Sequence, residues 1–313
     1  MPLIGLLVVC GMLALGLTGC VGPLRGPRDL GGDHRFLRTS KPVISSPVAA
    51  DLDGDGQPEI LVGSWDGRFY ALDIRLNLLP GWPRRSRRGF FSSPALADLD
   101  GDGDSEIVVG SDRGYLYAWH HDGSALEGFP VDLGYQVWSS PTIIDGPAVA
   151  IGGEGRIHVV GSTAEPLAGW PRPMEGWADA TAAFDGKTLA ITSLTPGDPS
   201  RGWIHAWNIA DGGTQSLRKE LIMDTDSSPA LVDFDADGQS WIVFGDDAGS
   251  LHVLDPQGNQ RPGFPVSTLG VVDGPTPTPH PPGGNIHSIE ASPAVADVDG
   301  DGCLEIAVGS WDG

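Results

Sequence analysis

One segment of the sequence recurs along most of the chain. The residues SSPVAADLDGDGQPEI that begin at Ser45 return as SSPALADLDGDGDSEI at Ser92, 47 residues later. Self-similarity at such a period is typical of folds in which each repeat is one supersecondary element that packs on its neighbours. Shorter versions of the same opening begin four further units, at Ser139, near Ala178, at Ser227 and at Ser292.

Each unit contains the pattern of four short strands. An apolar strand follows Ser-Pro, and an Asp-rich loop leads to a second apolar strand, as at 107–109. An Asp-Gly pair such as Asp66-Gly67 then predicts a type I′ hairpin turn, in which both central residues have positive φ. The third strand is Arg68–Leu72 in unit one, and a weaker fourth strand follows a Gly-Trp-Pro or Gly-Phe-Pro triplet. The pattern predicts an all-β fold, a β-propeller of four-stranded blades.

The ends of the repeat array suggest how the ring closes. About six units are visible in residues 36–313, and the chain ends at Gly313, after the second strand of the sixth. We expect Phe36–Ile44 to be the last strand of a blade whose other strands come from the C-terminal end. On this interpretation the propeller is incomplete at its C-terminus, and a longer natural chain forms about seven blades.

These repeats resemble the FG-GAP or VCBS family, whose blades are similar to those of the integrin α-subunit propeller. The resemblance rests on the recurring Asp-x-Asp-Gly-Asp-Gly-x-x-Glu pattern, which is followed by Ile and a Gly-Ser turn. It covers about residues 36–313, so it implies a propeller fold for nearly the whole chain after the N-terminal segment.

The Asp-rich loops carry the oxygen ligands that Ca²⁺ prefers. Numbered from the first Asp, acids stand at positions one, three, five and nine, and position seven offers its backbone carbonyl whatever its side chain. Ca²⁺ takes six to eight oxygens in flexible geometry, whereas Mg²⁺ demands a stricter octahedron. Three stronger Ca²⁺ sites are predicted, from Asp51, Asp53, Asp55, Gln57 and Glu59, from Asp98, Asp100, Asp102, Asp104 and Glu106, and from Asp297, Asp299, Asp301, Cys303 and Glu305.

The remaining units depart from this ligand pattern. Unit five keeps Asp233, Asp235 and Asp237, but its position nine is Trp241, so we expect a weaker metal site there. Units three and four have only an Asp-Gly pair in place of the loop, and we expect no metal in either. Those pairs are Asp145-Gly146 and Asp185-Gly186.

The N-terminus has the pattern of a sorting signal. An uncharged apolar run ends in Leu-Thr-Gly-Cys20, which resembles the bacterial lipobox, although no Lys or Arg precedes it. We expect residues 1–20 to be a lipoprotein signal peptide, 21–35 a flexible tether, and 36–313 the propeller. Lipidation of Cys20 would anchor the protein to a membrane of the cell envelope, at the outer membrane or cell surface. A cleaved signal without lipid and an uncleaved anchor are the alternatives.

Composition narrows the class of partner. The formal net charge is −22, which argues against nucleic acid as a ligand because its phosphates require Lys and Arg. Three cysteines, Cys10, Cys20 and Cys303, are too few and too badly placed for an internal disulfide network. The stability of a secreted form must therefore come from packing and from bound metal.

No catalytic motif is found in the sequence. It lacks a Gly-x-Ser-x-Gly elbow, a His-Glu-x-x-His pair and a phosphate-binding Gly loop. The leading hypothesis is a lipid-anchored, calcium-binding propeller that binds an extracellular protein or glycan as an adhesion module. The alternative is a polysaccharide-active enzyme, since rhamnogalacturonan lyases are propellers with similar loops. A structural component of an envelope complex is the third hypothesis.

Three further features have two interpretations each. The basic run Arg84–Arg88 is either a solvated connector or a contact for an anionic lipid or polysaccharide. The pair His120-His121 is either a metal-binding pair or the end of a hairpin, and the second is favoured because adjacent strand residues point to opposite faces. The Pro-rich insertion Pro275–Gly284 is either a mobile spacer or a partner-binding loop.

Overall fold

The computed structural model describes residues 37–197, 201–268 and 288–311, together with the backbone of strand β1 (Leu6–Val8). Within this part every regular element is a β-strand, and it contains no helix long and apolar enough to cross a membrane. The predicted lipidation residue Cys20, the tether 21–35 and the Pro-rich insertion Pro275–Gly284 lie outside the described residues. The all-β prediction is confirmed.

The strands follow the repeat. Units one and two contain β2 (Val48–Ala50), β3 (Glu59–Gly63), β4 (Arg68–Leu72), β5 (Arg84–Arg85), β6 (Ala95–Ala97), β7 (Glu106–Gly110), β8 (Tyr115–Trp119) and β9 (Val131–Asp132). Units three and four contain β10 (Thr142–Ile144), β11 (Ala148–Gly152), β12 (Glu154–Gly161), β13 (Arg172–Trp177), β14 (Ala183–Phe184), β15 (Thr188–Thr195), β16 (Arg201–Asn208) and β17 (Thr214–Glu220). Units five and six contain β18 (Ala230–Val232), β19 (Trp241–Gly245), β20 (Ser250–Leu254), β21 (Val266–Ser267), β22 (Ala294–Ala296) and β23 (Glu305–Val308).

Units one, two and five are each a four-stranded antiparallel sheet whose strands pair in chain order. The sheets of units three and four have the same order and are joined through one pair, Trp177 with Leu194. In units one, two, three and five the fourth strand begins directly after the Gly-aromatic-Pro triplet, as the sequence predicts, whereas β17 of unit four follows no such triplet. After their first residue the second strands of units one, two and five are apolar because they are buried on both faces, as in β7, where all five residues from Glu106 to Gly110 are buried.

The two serines of the Ser-Ser-Pro opening connect the sheets. The first serine closes its own unit, since Ser45 Oγ accepts the Gly63 N–H at 2.9 Å and donates to the Gly63 carbonyl at 3.0 Å. The second connects neighbouring units, because Ser93 Oγ accepts the Ser46 N–H at 2.8 Å and Ser140 Oγ accepts the Ser93 N–H at 3.0 Å. These hydrogen bonds between units therefore join residues that are 47 positions apart, which is the length of the repeat.

The core lies between adjacent sheets. Between units one and two, Phe69 packs on the rings of Trp82, Phe90 and Trp119, with centroids 5.5–6.0 Å apart. Close approach requires glycine at the end of the second strand, because a Cβ on Gly63 would lie 2.6 Å from Phe90 Cβ. Each sheet therefore buries its apolar face against its neighbour, which is how propeller blades pack.

The Asp-Gly turns differ from the type I′ prediction. Gly67 has φ of +82°, whereas no positive φ is found at Asp66. The Gly67 N–H donates to the Ser64 carbonyl at 3.1 Å, and the Ser64 N–H donates to the Arg68 carbonyl at 3.0 Å. This is a type I turn followed by a left-handed glycine, the second common hairpin connection, and it needs positive φ at the glycine alone.

The chain ends also differ from expectation. Residues 37–47 form no strand, so the predicted closing strand at Phe36–Ile44 is wrong where the structure describes it. This segment instead runs beside unit one, where the Trp65 N–H donates to the Pro42 carbonyl at 3.0 Å. The outer edge of β23 pairs in parallel with β1, Leu6 opposite Ile306.

Candidate metal centres

The Asp-rich loops all lie at one end of the sheets, which we call the Asp-loop end. Strand order places the connection between first and second strands at this end, together with the connection between third and fourth strands. The turns between second and third strands, and the links between units, lie at the opposite end. The two ends therefore carry side chains from different loops of each unit.

In loop one, backbone donors and a buried acid fix the carboxylates. Glu59 is only 4% exposed, and its Oε2 accepts the Leu52 N–H at 2.8 Å. Asp51 Oδ2 accepts the Gly56 N–H at 3.0 Å. Oxygen atoms of Asp51, Asp53 and Glu59 all lie within 4.8 Å of one another. The loop thus gathers carboxylate oxygens around one point.

Loops two and six repeat this geometry. Glu106 Oε2 accepts the Leu99 N–H at 2.7 Å, and Glu305 Oε2 accepts the Val298 N–H at 2.8 Å. In each loop the position-seven residue donates its N–H to the position-five Asp, at 2.7–2.9 Å. The further groups whose oxygens come within 4.8 Å are Asp98 with Asp100 and Asp102, and Asp297 with Asp299 and Glu305.

The gathered acids repel one another and are partly removed from water. Burial is the main cause that raises the pKa of Glu59 above its usual value, and repulsion from Asp53, Asp55 and Asp51 adds to it. Burial likewise raises the pKa of Glu106, with repulsion from Asp100. Glu59 and Glu106 therefore resist ionisation, and a bound cation would favour their charged forms.

The pair His120-His121 contacts loop two, and the argument from side-chain alternation along a strand did not predict this contact. His120 Nδ1 lies 3.1 Å from Glu106 Oε1, and a group of Asp100, Glu106 and His120 has its ligand atoms within 4.8 Å of one another. His121 Nδ1 lies 3.7 Å from Asp104. Both residues follow β8 rather than lying within it, so the alternation of a strand does not separate them. Their position directly after a third strand places them at the Asp-loop end, and this position could have predicted the contact from the sequence.

Loop five is built differently. Both oxygens of Asp235 are bound by the Arg261 guanidinium, at 2.9 and 3.0 Å. Hydrogen bonds from Arg261 are the main cause that lowers the pKa of Asp235 below its usual value. Asp233 still accepts the Gly238 N–H at 2.8 Å, as in the other loops. The three acids predicted for this loop thus include one that already has a cationic partner.

The opposite end carries a row of aromatic side chains. Phe91 lies 5.8 Å from both Trp65 and Trp138, and Trp138 lies 6.4 Å from Trp177, measured between ring centroids. Trp138 is fixed by its indole N–H, which donates to Asp112 at 2.9 Å. A cleft of about 260 Å³, including the space open to solvent, lies between Trp138 and Trp177 beside Gln136 and Asp179.

Acids continue this row around the same end. The residue before the Ser-Ser pair is Phe91 in unit two, Trp138 in unit three and Asp226 in unit five, and Asp179 holds this position in unit four, before Ala180-Thr181. Burial raises the pKa of Asp179 to about 6, and burial with repulsion from Asp179 raises that of Asp226 to about 6. This end therefore presents aromatic rings on one side and desolvated carboxyl groups on the other.

Comparison with known proteins agrees with this architecture. Residues 90–125 match the FG-GAP repeat family, which confirms the resemblance proposed from the sequence. A comparison with curated protein sequences gives no match.

Solved structures share the fold at low sequence identity. The quinohemoprotein alcohol dehydrogenase of Comamonas testosteroni has a TM-score of 0.51 at 17% identity, over 71% of this chain and 42% of that one. A europium-containing methanol dehydrogenase has 0.51 at 14%, over 68% and 49%. BamB of Moraxella catarrhalis has 0.47 at 16%, over 88% and 83%. The two dehydrogenases, each with a TM-score of 0.51, support a β-propeller fold and say nothing of the ligands of this chain.

Proposed function

We propose that this chain is an extracytoplasmic calcium-binding module that recognises a protein or glycan and does not act as an enzyme. The chain contains an FG-GAP repeat and has a fold of propeller type. The observation that carries the calcium assignment is the threefold recurrence of one loop geometry. In loops one, two and six a Glu at position nine accepts the N–H of position two. This Glu gathers with two Asp residues in loops one and six, and with Asp100 and His120 in loop two. Turns alone do not require four acids at fixed positions.

Ca²⁺ fits these loops better than other common cations. The side-chain ligands of loops one and six are carboxylates, which are hard oxygen donors. The loops stand at the protein surface, and their glycines have positive φ, for example +73° at Gly54. A flexible oxygen-rich surface loop suits an ion that tolerates irregular coordination, as Ca²⁺ does.

Calorimetric titration should count three strong Ca²⁺ sites. Replacing Asp53, Asp100 or Asp299 by Asn should remove one site each, because each substitution deletes a carboxylate at position three. The matched control is Asp145→Asn, which alters an Asp-Gly turn outside the loops and should leave three sites. A parent protein that binds no Ca²⁺, or equal losses in the control, would contradict the assignment.

The end opposite the Asp loops is the proposed partner-binding surface. Aromatic rings and a few fixed polar groups are the usual composition of a recognition surface. Trp177 is 39% exposed and borders the cleft beside Asp179. Ca²⁺ at the other end would hold the loops between strands rigid, so that this surface is presented in a fixed shape.

Binding to immobilised envelope protein and polysaccharide should depend on this surface. We expect Trp177→Ala and Asp179→Asn each to weaken retention roughly tenfold, as for a central interface residue. The control is Leu78→Ala, which removes an exposed apolar side chain at the Asp-loop end. Retention that is unchanged in both variants would place the partner elsewhere. New unsaturated ends on the polysaccharide would favour an enzyme instead.

A lipid on Cys20 would place the module at the envelope. The described residues do not include Cys20, so this part of the proposal rests on the Leu-Thr-Gly-Cys pattern and on the apolar run before it. Outer membrane or cell surface is the proposed location.

A further inference from the structure

Two of the differences between unit five and unit two lie twenty residues apart in the chain. Glu106 at position nine of loop two is replaced by Trp241 in loop five, and Leu126 is replaced by Arg261. Unit one has the same pair as unit two, Glu59 and Leu79. In unit five, loss of the acid at position nine thus accompanies gain of a cation at the position of the leucine.

Backbone hydrogen bonds show that the exchanged residues occupy the same place. The Leu126 N–H donates to the Ala118 carbonyl at 3.0 Å, and the Arg261 N–H donates to the Val253 carbonyl at 2.8 Å. Both acceptors lie in the third strand of their unit. Arg261 is therefore held where unit two has a buried leucine, facing the Asp loop.

The guanidinium is fixed on several sides. Its Nη1 and Nη2 bind the two oxygens of Asp235 at 2.9 and 3.0 Å, a bidentate pair. Its carbon lies 4.7 Å from the ring centre of Trp241 and 5.0 Å from that of Phe234. The Arg261 side chain is only 15% exposed. A planar fork on a carboxylate, stacked on aromatic rings, is the arrangement that favours arginine over lysine.

The pair redirects the third position of the loop. In loops one, two and six the position-five N–H donates to the position-three Asp at 3.1–3.2 Å, and in loop six it also donates to the first Asp, Asp297. In loop five the equivalent Asp237 N–H donates instead to Asp233 at 3.2 Å. Asp235 is thereby turned from the loop interior towards Arg261. With Trp241 in place of Glu, the residues of loop five do not fit a Ca²⁺ ion.

We propose that the Arg261 guanidinium is the resident cation of loop five and closes this loop without a metal ion. The inference rests on the proposed function only where it contrasts loop five with loops one, two and six. Dependence on Ca²⁺ is then confined to units one, two and six, and the loop of unit five keeps its shape when Ca²⁺ is withdrawn.

Hydrogen exchange on the parent protein tests this directly. In loops one and five the same amide donates to the first Asp, from Gly56 and from Gly238. Millimolar Ca²⁺ should slow exchange at Gly56 roughly tenfold relative to EDTA and leave Gly238 unchanged. Slowing at Gly238 by the same factor would overturn the proposal.

Two variants separate the cation from the rest of the loop. Arg261→Gln should speed exchange at Gly238 roughly tenfold in EDTA, because Asp235 loses its partner. Trp241→Glu with Arg261→Leu restores the residues of unit two and should raise the calorimetric count from three Ca²⁺ to four. The reciprocal control, Glu106→Trp with Leu126→Arg, should lower it to two.

The outcomes are distinguishable from failure of the calcium proposal. If the parent bound no Ca²⁺, the proposed function would fail, but the effect of Arg261→Gln in EDTA would still decide this inference. An unchanged Gly238 in Arg261→Gln, or a parent that binds four Ca²⁺, would refute the role of Arg261.

Discussion

Withdrawing Ca²⁺ should lower the melting temperature of this protein by about 8 °C. A ligand that binds only the native state adds RT ln(1 + [L]/Kd), which is about 1.4 kcal/mol per site at a tenfold excess over Kd. Extracellular Ca²⁺ sites commonly have Kd near 10⁻⁴ M, so millimolar Ca²⁺ gives about that excess. Three sites then add about 4 kcal/mol to the free energy of unfolding, and each kcal/mol shifts the midpoint by about 2 °C.

The measurement is a pair of melts, in millimolar Ca²⁺ and in EDTA. Asp53→Asn, Asp100→Asn and Asp299→Asn should each lose about a third of the difference, whereas Asp145→Asn should keep all of it. Mg²⁺ at the same concentration should restore little, because the loops offer irregular coordination. Identical parent melts with and without Ca²⁺ would remove the basis for calling these loops metal sites.

Much of the fold follows from the sequence because the repeat encodes its contacts. The Ser-Ser-Pro opening predicts a first strand, and its second serine also makes the hydrogen bond to the next unit, as Ser93 does with Ser46. The second strands are predictable because burial on both faces favours a run of apolar residues, such as 107–109 in β7. The acids of the loops are predictable because carboxylates at alternate positions have few other uses.

Two contacts that the sequence did not reveal join distant segments of the chain. His120 reaches Glu106 from the end of the third strand, 14 residues away, and Arg261 reaches Asp235 across 26 residues. The hairpin turn was mispredicted because Asp-Gly suits two turn types, and only the backbone at Asp66 distinguishes them. Comparing repeats with one another, position by position, would have marked Arg261 as the exception among leucines.

The asymmetry between the two ends follows from the same topology. Every loop from first to second strand lies at one end, so the proposed Ca²⁺ sites of three units form there without approaching the proposed partner-binding surface. The links between units lie at the other end, where residues such as Trp138 and Asp179 precede the paired positions of the repeat. A substitution in the Asp loops should therefore leave partner binding unchanged, and a substitution at the opposite end should leave Ca²⁺ binding unchanged.

Replacing Cys20 by Ser should abolish lipid attachment completely. The Leu-Thr-Gly-Cys pattern predicts that the Cys20 thiol carries the lipid, and a serine hydroxyl does not substitute for it. Stable anchoring requires more than one acyl chain, so loss of the modified residue should release the protein from the membrane fraction or leave an unprocessed precursor. Labelling with a fatty-acid analogue and fractionation measure both effects. Cys10→Ser is the control, and it should be labelled like the parent.

The same variant tests what happens at the edge of unit six. Strand β1 pairs with β23 through Leu6–Val8, which lies within the predicted signal peptide. Processing before Cys20 would remove β1 and leave the outer edge of β23 without this partner, and unpaired edges exchange their amides faster. The amides of Ile306 to Val308 should therefore exchange faster in the processed parent than in the Cys20→Ser precursor. Labelling that survives loss of Cys20, with equal exchange in the two proteins, would show that the N-terminal segment is not processed at this residue.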